Sequence, residues 1–167
     1  MTDRVNASGD LLEVLLDSWD RNNAVLLGLL GALPDGGLQA RAAEGSPTVA
    51  EMFSHMHFVR LAFVSDTAPE CASEVPKTEW AAERDAAVIA KQLNESAAVV
   101  RRAVESRVKA GRNLDRAYAH PIHFMQHMVW HEGYHHGQIK LALKAIGRPL
   151  SDRDAGPVTW AHWKKKD

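Results

Sequence analysis

Histidines are concentrated in one short stretch near the end of the chain, HMVWHEGYHHGQI, residues 127–139. Five of the nine histidines fall between His123 and His136. Imidazole is a common ligand for zinc, nickel, copper and iron, so this stretch can contribute to a metal site. Within it, HEGYH also matches the H-E-x-x-H pattern of zinc proteases. The alternatives are a protease site, another metal site, and a histidine-rich helix that binds no ligand.

Helical spacing limits how many of these histidines can share one ion. Four of them follow one another at intervals of four residues: His123, His127, His131 and His135. On a helix, neighbours at this spacing lie on one face, about 5–6 Å apart. Each step climbs about 6 Å along the axis, so at most one adjacent pair can bind the same ion. The apolar stripe of this segment contains His131 and His135, which predicts that they face the interior. His123 lies off that stripe, and His136 is predicted to point outward.

A catalytic zinc-type site usually has three protein ligands and one open position, so a third ligand is needed. The segment SHMHFVR, residues 54–60, offers His55 and His57. They are about 200° apart around a helix, so only one can face the interior. Periodicity alone does not choose between them. On spacing alone, a metal site and a set of hydrogen-bonded core histidines are equally supported.

The protease hypothesis is the weakest of the three. It requires a third ligand downstream of the helix, and the remaining options lie in the C-terminal tail: Asp152, Asp154 and His162. No strand pattern is present to flank the helix. Glu132 is therefore predicted to be an exposed helix residue or a partner of a ligand, rather than the general base of a protease.

Four amphipathic segments must position these residues, and they predict an all-α fold, a four-helix bundle. The segments run roughly over residues 10–32, 46–65, 79–109 and 121–146. Thr48 and Glu51 have capping-box spacing at the start of the second, and Pro121 suits the first turn of the fourth. We expect a single domain over residues 1–167, with an irregular tail over about 148–167 that packs on a bundle end.

Composition narrows the class of protein. The chain has 167 residues, 46% hydrophobic and 25% charged, with a net charge of −1. The nearly neutral net charge gives no indication of a basic surface that would bind nucleic acid or anionic membrane lipid. The N-terminus has no apolar signal core, and no apolar run is long enough to span a membrane. The single cysteine, Cys71, excludes a disulfide within the chain, which suits the cytoplasm; we interpret it as incidental.

The chain resembles the DinB/YfiT-like superfamily of metal-dependent enzymes in two of its helices. The last long helix carries the pattern H-x-x-x-H-E-G-Y-H-x-G-Q-I, and the second carries TVAEMFSHMHFVR. The resemblance covers nearly the whole chain. It implies a helical bundle that holds a divalent metal ion, commonly nickel or zinc, through three histidines. The implied ligands are His55, His131 and His135. Gln138 matches the glutamine that supports this site in the family, and His136 stands where many members have arginine.

The resemblance also implies a function. Known members include S-transferases and isomerases that use low-molecular-weight thiols such as bacillithiol or mycothiol, and many are homodimers. A thiol-dependent S-transferase that acts on a small molecule is therefore the first hypothesis. The nearest candidates for its proton acceptor are His127, Glu132 and Tyr134. A metal-dependent hydrolase, a non-catalytic metal- or ligand-binding stress protein, and a bundle without metal stay open as alternatives.

Overall fold

The computed structural model describes residues 9–164, with side chains from residue 11 onward. The polar N-terminal stretch analysed above lies largely outside the described residues. Four long helices form the body of the fold: α1 (Gly9–Gly31), α2 (Val49–Thr67), α3 (Ala86–Lys109) and α4 (Pro121–Ala145). A single turn, α5 (Asp152–Ala155), follows them. No strand occurs in residues 9–164, so the predicted all-α fold with four long helices is confirmed.

The beginnings of two helices agree with the sequence prediction. At α2 the Thr48 hydroxyl accepts the Glu51 N–H at 3.2 Å, and the Glu51 carboxylate accepts the Thr48 N–H at 2.6 Å. This is the predicted capping box, which satisfies two N–H groups that lack helical partners. At α4 Pro121 occupies the first turn, as predicted. Both histidine-bearing helices therefore begin where local sequence signals place them.

The predicted start of the third helix, near Glu79, is wrong. The helix begins at Ala86, because the Asp85 side chain caps it by accepting the Ala87 N–H at 2.8 Å. Residues 79–85 instead belong to the loop between α2 and α3. Glu79 and Trp80 can consequently lie against other helices, which matters for the site described below.

A layer of buried polar side chains divides the core in two. Each of two apolar clusters takes residues from all four long helices. On each long helix, buried polar residues separate the members of one cluster from those of the other: Asn22 and Asn23 on α1, His57 and Arg60 on α2, Ser96 on α3, Glu132 and His135 on α4. Buried polar groups must find partners within the protein. The layer therefore fixes how the four helices face one another.

The tail lies along the side of α1, and the prediction that it packs on a bundle end is wrong. A Cβ placed on Gly28 would lie 1.5 Å from the Val158 carbonyl oxygen, so only glycine permits this approach. Arg21 also donates a hydrogen bond to the His162 carbonyl oxygen at 2.6 Å. Among the described residues, no helix is both long and apolar enough to cross a membrane.

Candidate metal centre

Three histidine side chains from two helices meet at one point. Nε2 of His131 lies 3.1 Å from Nε2 of His55 and 3.1 Å from Nε2 of His135. A zinc-like ion about 2.0–2.1 Å from each nitrogen would hold neighbouring ligand atoms about 3.3–3.4 Å apart in tetrahedral geometry and about 2.8–3.0 Å apart at right angles. The observed spacing fits a shared ion. The structure thus brings together the three histidines that the family resemblance implied.

Hydrogen bonds at the outer edges of two rings determine where their protons lie. Nδ1 of His55 is 2.7 Å from the Glu79 carboxylate, and Nδ1 of His135 is 2.7 Å from the Gln138 amide oxygen. Both partners are acceptors, so each Nδ1 donates, and each neutral ring has a bare lone pair on Nε2. His131 has one Nε2 proton at most, so it can satisfy only one of these lone pairs. A cation satisfies all of them, and the residues therefore fit a metal ion.

Burial keeps the cluster in the form that binds metal. It is the main cause that lowers the pKa of His55 and of His135. Burial, followed by the charges of the neighbouring histidines, lowers the pKa of His131 to about 4. Metals bind neutral imidazole, so proton competition at these nitrogens is weak at neutral pH. Nδ1 of His131 differs from its counterparts, because it is buried without a hydrogen-bond partner among the described residues.

The two histidines of α2 have different surroundings, which periodicity could not resolve. His55 faces α4, whereas Nδ1 of His57 donates to the Gln92 carbonyl oxygen on α3 at 2.9 Å. A carbonyl oxygen can only accept, so this bond secures His57 as a core residue. His57 is therefore held by α3 and stands outside the cluster of three.

The loop between α2 and α3 covers His55. The Trp80 indole stacks on the imidazole with ring centroids 4.0 Å apart and an angle of 4° between the planes. The neighbouring Glu79 binds the edge of the same ring. Neither residue was predicted to contact the site. Neither has a periodic relation to His55, which is more than twenty positions earlier, so no local sequence signal connects them to it.

The remaining residues singled out on α4 lie in varied environments. His127 is half-buried, and its Nδ1 is 2.7 Å from the Tyr118 hydroxyl. The Tyr134 hydroxyl accepts a hydrogen bond from the Gln138 amide at 2.9 Å, and its side chain is exposed. Gln138 therefore links Tyr134 to His135. His136 is half-buried and stands outside the cluster of three, and burial lowers its pKa.

Glu132 is buried in the polar layer, so the first alternative predicted for it, an exposed helix residue, is wrong. Its hydrogen bonds go to Arg60 and Asn22 and not to a histidine of the cluster, so they do not support the second alternative, a partner of a ligand. Its two oxygens accept from Nε and Nη2 of Arg60 at 2.6 and 2.9 Å. Asn22 adds a third donor to this carboxylate. Bidentate pairing of this kind makes burial of both charges tolerable. The overlooked sequence feature was Arg60 itself, a charge inside the apolar run HFVRLAF.

Comparison with known proteins agrees with these observations. The model of the DinB family matches residues 1–164, which include all three converging histidines. No curated protein and no solved structure matches the chain. The resemblance inferred from the histidine pattern is therefore confirmed at the level of the family.

Proposed function

The chain belongs to the DinB family, and on this premise we propose that it is a metal-dependent enzyme. In this proposal His55, His131 and His135 hold one divalent ion, nickel or zinc. The strongest support is the meeting of three Nε2 atoms, two of which have a bare lone pair because their Nδ1 atoms donate elsewhere. No fourth histidine, cysteine or carboxylate joins this cluster among the described residues. Three protein ligands are typical of catalytic sites, whereas structural zinc sites usually have four.

The proposed reaction is the transfer of a small thiol to an electrophilic substrate. A divalent ion in the cluster would supply a positive charge that favours the thiolate form of the thiol. The protein must then supply an acceptor for the thiol proton. His127, held by Tyr118, and Tyr134, held by Gln138, remain candidates for this role. Glu132 is poorly suited, because both of its oxygens are bound by Arg60.

Metal content tests the first part of the proposal. Protein purified without a histidine tag is expected to contain about one nickel or zinc ion per chain by elemental analysis. His55→Ala and His131→Ala should abolish this content. The matched control is His57→Ala, which removes a buried histidine of the same helix that binds a backbone carbonyl. Full metal content in His55→Ala, or equal loss in His57→Ala, would show that the ligand set is wrong.

Activity measurements test the second part. The metal-loaded protein is incubated with a panel of low-molecular-weight thiols and a chromogenic electrophile, in parallel with a nitrophenyl ester. We expect conjugation that requires both the metal and a thiol. Ester hydrolysis without any thiol requirement would replace the transferase proposal by the hydrolase alternative. We also propose that the protein acts in the cytoplasm as a homodimer, and light scattering of the purified protein tests the dimer.

A further inference from the structure

A groove lies beside the three-histidine cluster, between the first turn of α2 and the loop that leads into α3. It consists of two hollows of about 260 and 370 Å³, which share Arg41 and Glu51 in their walls. Arg84 lines the first hollow and Trp80 the second. Sites for small molecules usually enclose roughly 300–1,000 Å³, so the groove has a suitable size.

Two residues connect this groove to the cluster. Trp80 forms part of its wall and stacks directly on His55. Glu51 also lines the groove, and it lies four residues before His55, one helical turn away on the same face of α2. A molecule in the groove therefore lies next to residues that surround His55.

The side chains that line the groove carry two positive charges, on Arg41 and Arg84, and one negative charge, on Glu51. Arg41 donates one side-chain hydrogen bond, to the Ser46 carbonyl oxygen at 3.2 Å. Within the described range, neither Arg41 nor Arg84 forms an ion pair with a carboxylate. The opposing charge is Glu51, whose carboxylate accepts from the N–H and the hydroxyl of Thr48 at 2.6 and 2.8 Å. These hydrogen bonds, and to a smaller extent the charge of Arg41, lower the pKa of Glu51, so the groove keeps one positive charge in excess.

We propose that this groove binds the anionic group, a carboxylate or a phosphate, of the small molecule whose reacting atom is placed at the three histidines. Arg41 and Arg84 contact the anion, because planar guanidinium groups bind such groups through paired, charge-assisted hydrogen bonds. Trp80 separates the anionic end of the ligand from its reacting end. The placement of the reacting atom at the three histidines rests on the proposed function. The binding of an anion by Arg41 and Arg84 does not depend on it.

The first experiment uses protein loaded with cobalt(II), in which thiolate binding to the ion gives an absorption band. The probes are 3-mercaptopropionate and 6-mercaptohexanoate, each compared with its neutral amide. At least one acid is expected to bind about tenfold more tightly than its amide, the scale of one charge-assisted contact. The double variant Arg41→Gln, Arg84→Gln should lose this preference and keep its affinity for cobalt and for the amides. Arg116→Gln, which changes an arginine outside the groove, is the matched control. A preference that is absent from the native protein, or retained in the double variant, overturns the proposal.

The second experiment separates the groove from the metal site. Succinate and inorganic phosphate are titrated calorimetrically into metal-free protein, which also distinguishes a carboxylate site from a phosphate site. Binding should disappear in the double arginine variant and persist in His131→Ala. If the protein binds no metal but shows this pattern, the proposed function fails and the anion site stands. If metal binds and neither anion does, the groove proposal fails while the metal site stands.

Discussion

The buried ion pair between Arg60 and Glu132 is expected to be among the most costly contacts of the bundle to break. The side chains are 0% and 1% exposed, respectively. Glu132→Gln preserves the shape of the side chain but leaves the Arg60 guanidinium without its counter-charge. Removing one partner of a buried pair costs about 3–5 kcal/mol. Because whole domains are stable by only about 5–15 kcal/mol, this is a large share of the free energy of unfolding.

Urea unfolding of the metal-free protein, followed by circular dichroism at pH 7, measures this cost. With a urea dependence of about 2 kcal/mol per molar, the midpoint should fall by about 1.5–2.5 M. Replacing both charges, by Arg60→Met with Glu132→Leu, should recover part of the loss, since no unpaired charge is left. The recovery is incomplete because Asn22 loses its acceptor and Asn23 loses its donor. Lys91→Gln, which removes an exposed ion pair with Glu95, should cost at most about 1 kcal/mol. If Glu132→Gln costs no more than this control, or if the double variant is as unstable as the single one, the cost does not come from an unpaired charge on Arg60.

Three further predictions concern the tail, metal binding and acid stability. Gly28→Ala should displace the tail and speed amide exchange in residues 156–164, whereas Gly133→Ala, where a Cβ meets no atom within 4 Å, should leave that exchange unchanged. Free metal at 100 times its Kd should stabilise the protein by about 2.7 kcal/mol, seen as a rise in Tm that a chelator reverses; an unchanged Tm would contradict metal binding to the folded state. Hydrogen bonds from Arg107 hold the pKa values of Glu70 and Asp115 below their ordinary 4.5 and 3.8. The stability that these two ion pairs contribute is therefore complete above the ordinary pKa values and is lost as pH falls through the lowered pKa values. In calorimetry, Arg107→Met should have a lower Tm than the native protein at pH 7, and its Tm should fall less steeply as pH drops below 4.5. An equally steep fall of Tm in the variant would show that these ion pairs do not cause the loss of stability in acid.

Local sequence signals predicted most of the helical framework. The capping box at Thr48 and the proline at position 121 identified the beginnings of α2 and α4, because both act within a single helical turn. The four-residue spacing of His131 and His135 likewise predicted that they share a face. These features depend on residues close in sequence, which is why one chain was enough to find them.

The features that sequence analysis missed depend on contacts between distant segments. Arg60 and Glu132 are 72 positions apart, so nothing local to either shows that it has a buried partner. Trp80 reaches His55 from a loop whose conformation has no periodic pattern. The choice of His55 over His57 came from family resemblance, since it depends on which neighbouring helix each face meets. Tertiary packing, rather than helix propensity, determines all three.

X-ray absorption spectroscopy of the zinc-loaded protein counts and identifies the atoms bound to the ion, so it decides whether the three histidines hold it. We expect three imidazole nitrogens at about 2.0–2.1 Å from the metal. His131→Ala, which removes the ring that contacts both others, should lose this coordination shell. A shell without three imidazoles in the native protein, or an unchanged shell in His131→Ala, would show that these histidines are not the ligands.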